Sequence, residues 1–195
     1  MRKLLFTITI AAFCYTQDDG GMPKGTVWGS FGLAPTMTVG ETDPLALDGG
    51  DLTIGYNQPV YAVNEKIGIQ VGLSYAVMPM SVEITSMDMD GEVTTSDEEY
   101  GFASFYALPT FLVNDKMAIW SALGMGMPTT STLTDQEASM GLLYGLGLNY
   151  RVTEKIGLGL GYVVNSTSTE FEFLGTTIEQ DYTFSRIGLF LGYSL

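Results

Sequence analysis

The chain has 195 residues, enough for one domain, of which 46% are hydrophobic and only 15% charged. Its 22 acidic residues outweigh 8 basic ones for a net charge of −14, which argues against nucleic acid, since phosphate binding needs basic patches. There is no histidine and a single cysteine, Cys14, so Ser-His-Asp and Cys-His catalysis, His-ligated metals and a disulfide framework are excluded together.

Residues 1–16 read as a secretory signal peptide, with Arg2 and Lys3 as the basic region and Leu4 to Phe13 as an apolar run too short to span a bilayer as a helix. Residues 17–24 form a polar lead-in, and residues 25–195 form one β domain. Strand one is predicted from Gly25 to Ala34 with Val27, Phe31 and Leu33 on one parity, followed by an exposed loop from Pro35 to Gly50. Strand two, Asp51 to Ala62, places Leu52, Ile54, Tyr56 and Val60 on one side. Pro59, which has no N–H to donate, belongs there at a bulge or near a rim. Strand three carries Ile67, Ile69, Val71, Leu73, Tyr75 and Val77 on one face.

A long acidic segment from Pro79 to Glu99 is expected to turn at Asp90-Gly91. Strand four, Tyr100 to Val113, has aromatics on both parities, so its facing stays open. Strand five sets Ile119, Leu123 and Met125 against Ala118, Trp120, Ala122, Gly124 and Gly126. After a Thr/Ser-rich loop, strand six sets Leu142, Tyr144, Leu146, Leu148 and Tyr150 against Gly141, Leu143, Gly145, Gly147 and Asn149. Strand seven alternates Ile156, Leu158, Leu160, Tyr162 and Val164 with glycines 157, 159 and 161. Residues 165–181 read as the last long connection. Strand eight sets Ile187, Leu189, Leu191, Tyr193 and Leu195 against Phe184, Arg186, Gly188, Phe190, Gly192 and Ser194.

Three short turns ending in Lys66, Lys116 and Lys155 join these strands at one end. Segments 35–51, 79–100, 128–137 and 166–181 at the other end hold 17 acidic residues and no Lys or Arg. Side chains in a strand alternate with period two. One face is therefore bulky and apolar, and the other is dominated by Gly, Ala, Ser and Asn with little charge. A soluble sandwich or lipocalin-like barrel would turn its bulky face inward and a polar face to water. The observed pattern instead fits an all-β, eight-stranded antiparallel up-and-down transmembrane β-barrel with short periplasmic turns and long acidic extracellular loops. Tyr56, Tyr75, Tyr144, Tyr150, Tyr162 and Tyr193 suit interfacial girdles.

No catalytic, cofactor-binding or metal residue is assigned. Asp88, Asp90 and Glu92 around Gly91 match only a fragment of a calcium loop and read better as a solvated hairpin tip. Arg186 is the one basic residue on the lumen parity and needs a partner there, for which Glu137 is the candidate by parity. Trp120 and Phe190 are expected to fill volume. Eight strands leave an interior just wide enough for side chains, although the many lumen glycines leave room for water-filled space.

The stretches Val63 to Tyr75 (VNEKIGIQVGLSY), Ala107 to Gly126 (ALPTFLVNDKMAIWSALGMG) and Tyr150 to Tyr162 (YRVTEKIGLGLGY) resemble the small outer-membrane β-barrel proteins of Gram-negative bacteria. They are similar to the OmpA transmembrane domain and OmpX in the form common among Bacteroidetes. The resemblance covers residues 25–195. It implies location in the outer membrane with both termini periplasmic, insertion by the outer-membrane assembly machinery, no cofactor, and a non-enzymatic role in envelope integrity or surface interaction. Such proteins often end in an aromatic residue, whereas this chain ends Tyr193-Ser194-Leu195. The expected partners are outer-membrane lipids and lipopolysaccharide, with divalent cations held loosely by the loop carboxylates. The alternative function is a narrow passive pore for small ions or solutes.

Overall fold

The computed structural model describes residues 24–48, 51–87, 93–130, 138–173 and 176–195. The expected signal peptide, the lead-in up to residue 23, the turn at Asp90-Gly91 with Asp88 and Glu92, and Glu137 lie outside the described residues. The strands are β1 (Thr26–Val39), β2 (Leu45–Ala46), β3 (Asp51–Ala62), β4 (Ile67–Met78), β5 (Met80–Met87), β6 (Val93–Tyr100), β7 (Phe102–Leu112), β8 (Met117–Pro128), β9 (Gly141–Arg151), β10 (Ile156–Phe173) and β11 (Thr176–Ser194). Eight of them pair antiparallel in the order β1, β3, β4, β7, β8, β9, β10, β11, and β11 pairs back onto β1. This ladder is a closed barrel. Closure satisfies the backbone groups that an open sheet edge would leave unpaired, at several kcal/mol each in hydrocarbon.

The bulky parity faces outward as the alternation requires. Leu123 and Leu146 are 64% and 63% exposed, and Leu142, Leu148, Leu158, Leu160, Leu189 and Leu191 are exposed beside them. Tyr150 and Tyr193 stand at the turn end of this apolar band, and Tyr75, Tyr144 and Tyr162 stand toward the loop end, all exposed. The six residue steps from Tyr144 to Tyr150 rise about 20 Å along a strand, close to the apolar height of such barrels. Tyr56 is more covered, its hydroxyl donating to Gln58 Oε1. The run on β10 ends at Tyr162, because Val164, on the same parity, is only 2% exposed.

The three turns share one construction. Asn64 Oδ1 accepts from the N–H groups of Lys66 and Ile67, and Asn114 Oδ1 accepts from those of Lys116 and Met117, all at 2.9 Å. In the third turn Thr153 Oγ1 accepts from Lys155 and Ile156 at 3.2 and 3.0 Å. Each turn lysine then offers its carbonyl to the neighbouring strand, at Leu112, Arg151 and Ser194. The last of these strands also ties Leu195 N–H to the Gly25 carbonyl at 3.0 Å. Both chain ends of the barrel therefore sit beside the turns.

Pro59 sits where the β3–β4 register shifts, between Pro59 and Tyr61, as its missing donor demands. The stretch from Pro35 to Gly50, expected as an exposed loop, is partly structured. A bulge at Ala34 (φ 46°) and Pro35 shifts the register against β11, so β1 continues to Val39 and pairs with β2. The expected connection from 165 to 181 is likewise mostly ladder, since β10 and β11 stay paired from Asn165–Phe184 up to Phe173–Thr176. Of the segment from Pro79 to Glu99, β5 and β6 pair with each other as a separate two-stranded sheet.

The glycine-rich parity provides seats for aromatic rings. A Cβ on Gly147 or Gly161 would lie 2.4 Å from the Trp120 indole, one on Gly55 2.4 Å from that of Trp28, and one on Gly72 2.3 Å from the Tyr106 ring. The expectation of water-filled space opposite the glycines is corrected at these positions, where flat rings lie against bare backbone. Gly147→Ala would also set its methyl 2.5 Å from the Leu160 carbonyl. It should lower stability by about 1–3 kcal/mol through overpacking, whereas Gly157→Ala, whose Cβ meets nothing closer than 3.7 Å, should be neutral or slightly stabilising. Denaturant midpoints of the two variants in micelles check the contrast.

Candidate functional site

With the exterior accounted for by lipid contact, the chemistry of this chain lies in the lumen and at its two ends. Three layers follow one another from the loop end toward the turn end, and a cavity opens at the turn end. The first layer is a cap of Met37, Leu47, Met80, Val82, Tyr100, Phe102 and Phe184, all buried. Phe184 is 0% exposed, with the Tyr100 and Phe102 rings 5.0 and 5.2 Å away and Tyr182 stacked on it at 6.4 Å. These residues come from β1, the chain after β2, β5, β6, β7 and β11. The acidic segments that sequence marks as solvated thus contribute their apolar residues to a lid. An antiparallel bridge between Asp48 and Ser81, with N–H to carbonyl distances of 2.6 and 2.8 Å, fastens the chain after β2 to the β5–β6 sheet. Burial, with Glu98 and Tyr182 alongside, pushes the Tyr100 hydroxyl up to about 12.

Below the cap lies a polar layer. Arg186 Nε is 2.5 Å from Asp51 Oδ2, with Asp51 1% exposed, and Thr53 donates to Asp51 Oδ1 at 3.1 Å. The partner of Arg186 is therefore Asp51, which sequence counts among the loop carboxylates, while Glu137 lies outside the described residues. Asp51 opens β3 on the inward parity and pairs across the sheet with Gly32 of β1, whose neighbour on β11 is Gly188. One bare residue, Gly32, lies between the carboxylate and the strand of Arg186, and the long guanidinium arm reaches across β1 to it. In the same layer Ser104 Oγ donates to Asn165 Oδ1 at 3.5 Å, and Asn165 Nδ2, fully buried, has no hydrogen-bond partner among the described residues.

The third layer is aromatic and amide. Phe190 packs between Trp28 and Trp120, with centroid distances of 5.6 and 5.4 Å. Asn57 Oδ1 accepts from Trp28 Nε1 at 3.2 Å and from the Tyr106 hydroxyl at 2.8 Å. The facing of β7, left open by its sequence, is settled here: Phe102, Ser104, Tyr106 and Leu108 point inward and Phe105 and Phe111 outward. As expected from sequence, Trp120 and Phe190 fill volume. Alongside this layer a cavity of about 260 Å³ runs from Arg186 to the turn end, where it opens.

Among the described residues no group of three His, Cys, Asp or Glu side chains gathers where a metal ion could sit. The lumen hydroxyls of Ser30, Ser104 and Thr53 have no histidine to activate them.

No protein-family model matches this chain, and no curated protein matches it either. Among solved structures the chain is similar to a designed transmembrane β-barrel (12% identity, 91% of this chain and 100% of that one, TM-score 0.48). It is similar also to Ail, the attachment invasion locus protein of Yersinia pestis (11% identity, 88% and 99%, TM-score 0.45). A third is the outer membrane protein OprG from Pseudomonas aeruginosa (13% identity, 92% and 100%, TM-score 0.45). The barrel assignment rests on ladder closure and on the apolar exterior, not on these likenesses.

Proposed function

We propose that this protein is a non-enzymatic outer-membrane barrel that acts as a structural and surface-interaction element rather than as a pore. The observation that carries the reading is the sealed lumen: a buried Met and aromatic cap over a buried Asp51–Arg186 pair. Any solute crossing the barrel would have to displace both. The reading places the termini and the three turns in the periplasm and the acidic hairpins outside the cell. There the loop carboxylates meet lipopolysaccharide phosphates through loosely held divalent cations, and insertion depends on the outer-membrane assembly machinery.

Conductance across planar bilayers tests the reading. Pure refolded protein should give no reproducible single-channel current, even though it inserts. Stable unitary openings would overturn the sealed-lumen reading in favour of a narrow passive pore.

A further inference from the structure

The turn-end cavity has a charge character opposite to that of the molecule. Its lining includes Lys116, Arg151, Lys155 and Arg186 against only Asp115 and Glu154, in a chain of 8 basic and 22 acidic residues. Arg186 lies deep in this lining, 11% exposed, and its partner Asp51 does not contribute to the cavity surface. The walls between Arg186 and the mouth are formed by Trp28, Trp120 and Phe190 together with the amides of Asn57 and Gln70. Asp51 balances the charge of Arg186 from behind, but only the guanidinium reaches the cavity surface; with low-dielectric aromatic walls and a surplus of cations over carboxylates at the mouth, the cavity faces the positive side of the pair. The acidic loop end repels anions and is sealed, so an anion reaches Arg186 only from the turn side.

We propose that this cavity binds a small organic monocarboxylate with a compact apolar body, its carboxylate on the Arg186 guanidinium and its body against Trp28, Trp120 and Phe190. A charged hydrogen bond to a guanidinium in such surroundings distinguishes a carboxylate from a neutral isostere. A volume of about 260 Å³ accommodates a six-membered ring bearing a carboxyl group and excludes larger polyanions. The cavity requires only an opening at the turn end, so it stands whether or not the loops have a surface partner.

The two tryptophans of the chain both line this cavity, so intrinsic tryptophan emission reports on it alone. Protein refolded into zwitterionic nanodiscs is titrated with cyclohexanecarboxylate, cyclohexylmethanol and cyclohexylammonium, all transparent where tryptophan is excited. The expected result is a saturable emission change with the carboxylate, a half-point weaker by about tenfold or more with the alcohol, and no saturation with the ammonium. The double variant Asp51→Asn/Arg186→Gln, which removes both charges and keeps hydrogen-bonding capacity, should bind the carboxylate and the alcohol alike. Equal responses to all three probes, no saturable response, or an undiminished carboxylate preference in the double variant would overturn the proposal. The three-probe series on the unaltered protein decides it even if the double variant does not fold, and bilayer conductance reports separately on the seal.

Discussion

Replacing Arg186 by methionine should cost about 3–5 kcal/mol of folding free energy, the range for breaking a buried pair by removing one partner. The reason is the carboxylate left behind. Asp51 is 1% exposed, and its nearest cation is Arg186 at 2.5 Å. The cap above excludes water, and Thr53 supplies a single hydrogen bond. Without the guanidinium, Asp51 must take up a proton or recruit water from the turn-end cavity that Arg186 lines, and both destabilise the barrel. The paired change Asp51→Asn/Arg186→Gln removes the uncompensated charge and should be far milder, because exchanging a whole buried pair for neutral groups is often close to neutral. Denaturant unfolding in micelles, followed by tryptophan emission, measures both. Equal losses in the single and double variants would mean that the layer is held by shape and not by charge.

Leu160→Arg should cost about 2–4 kcal/mol, the range for a guanidinium forced onto the lipid face near the bilayer midplane. Leu160 is 50% exposed, and its cross-strand neighbours Leu148 and Leu189 are exposed leucines as well, so no polar group on either side can receive the charge. Ile156→Arg is the matched comparison on the same strand. It follows the third turn and pairs with Tyr193, at headgroup level, where the same substitution falls to about 0–1 kcal/mol. Reversible unfolding of both variants in bilayers gives the depth profile. Unchanged insertion and stability for Leu160→Arg would sink the outward assignment of β10.

The strands facing lipid were legible because hydrocarbon imposes a strict rule on every second residue, as in Leu142 to Tyr150 and Ile187 to Leu195. Asn64, Asn114 and the lysines marked the turns for a local reason, since one side-chain oxygen can accept both N–H groups of a tight reversal. The polar ends of β10 and β11 were not legible. Above the apolar band Thr167 and Thr169 are buried while Ser166, Ser168 and Glu170 are not, yet both parities are polar, so a continuing ladder reads like a loop. The cap escaped for a different reason. Met37, Leu47, Met80 and Val82 are scattered one or two at a time among acids, and only tertiary folding gathers them. Parity placed Arg186 in the lumen but could not choose its partner, because barrel stagger decides which inward residue lies within reach. That stagger follows in part from the Ala34–Pro35 bulge, which a sequence shows only as a proline after a strand.

The hydrogen bond from Leu195 to Gly25 and the ladder from Thr26–Ser194 onward join the earliest and latest barrel residues that a ribosome makes. Until the final strand arrives, the first one offers a bare ladder edge, and no shorter product can cover it. Closure is thus committed to waiting: the ladder is complete only when β11 lies against β1, and a chain truncated by that one strand is expected to keep an open edge that hydrocarbon does not tolerate.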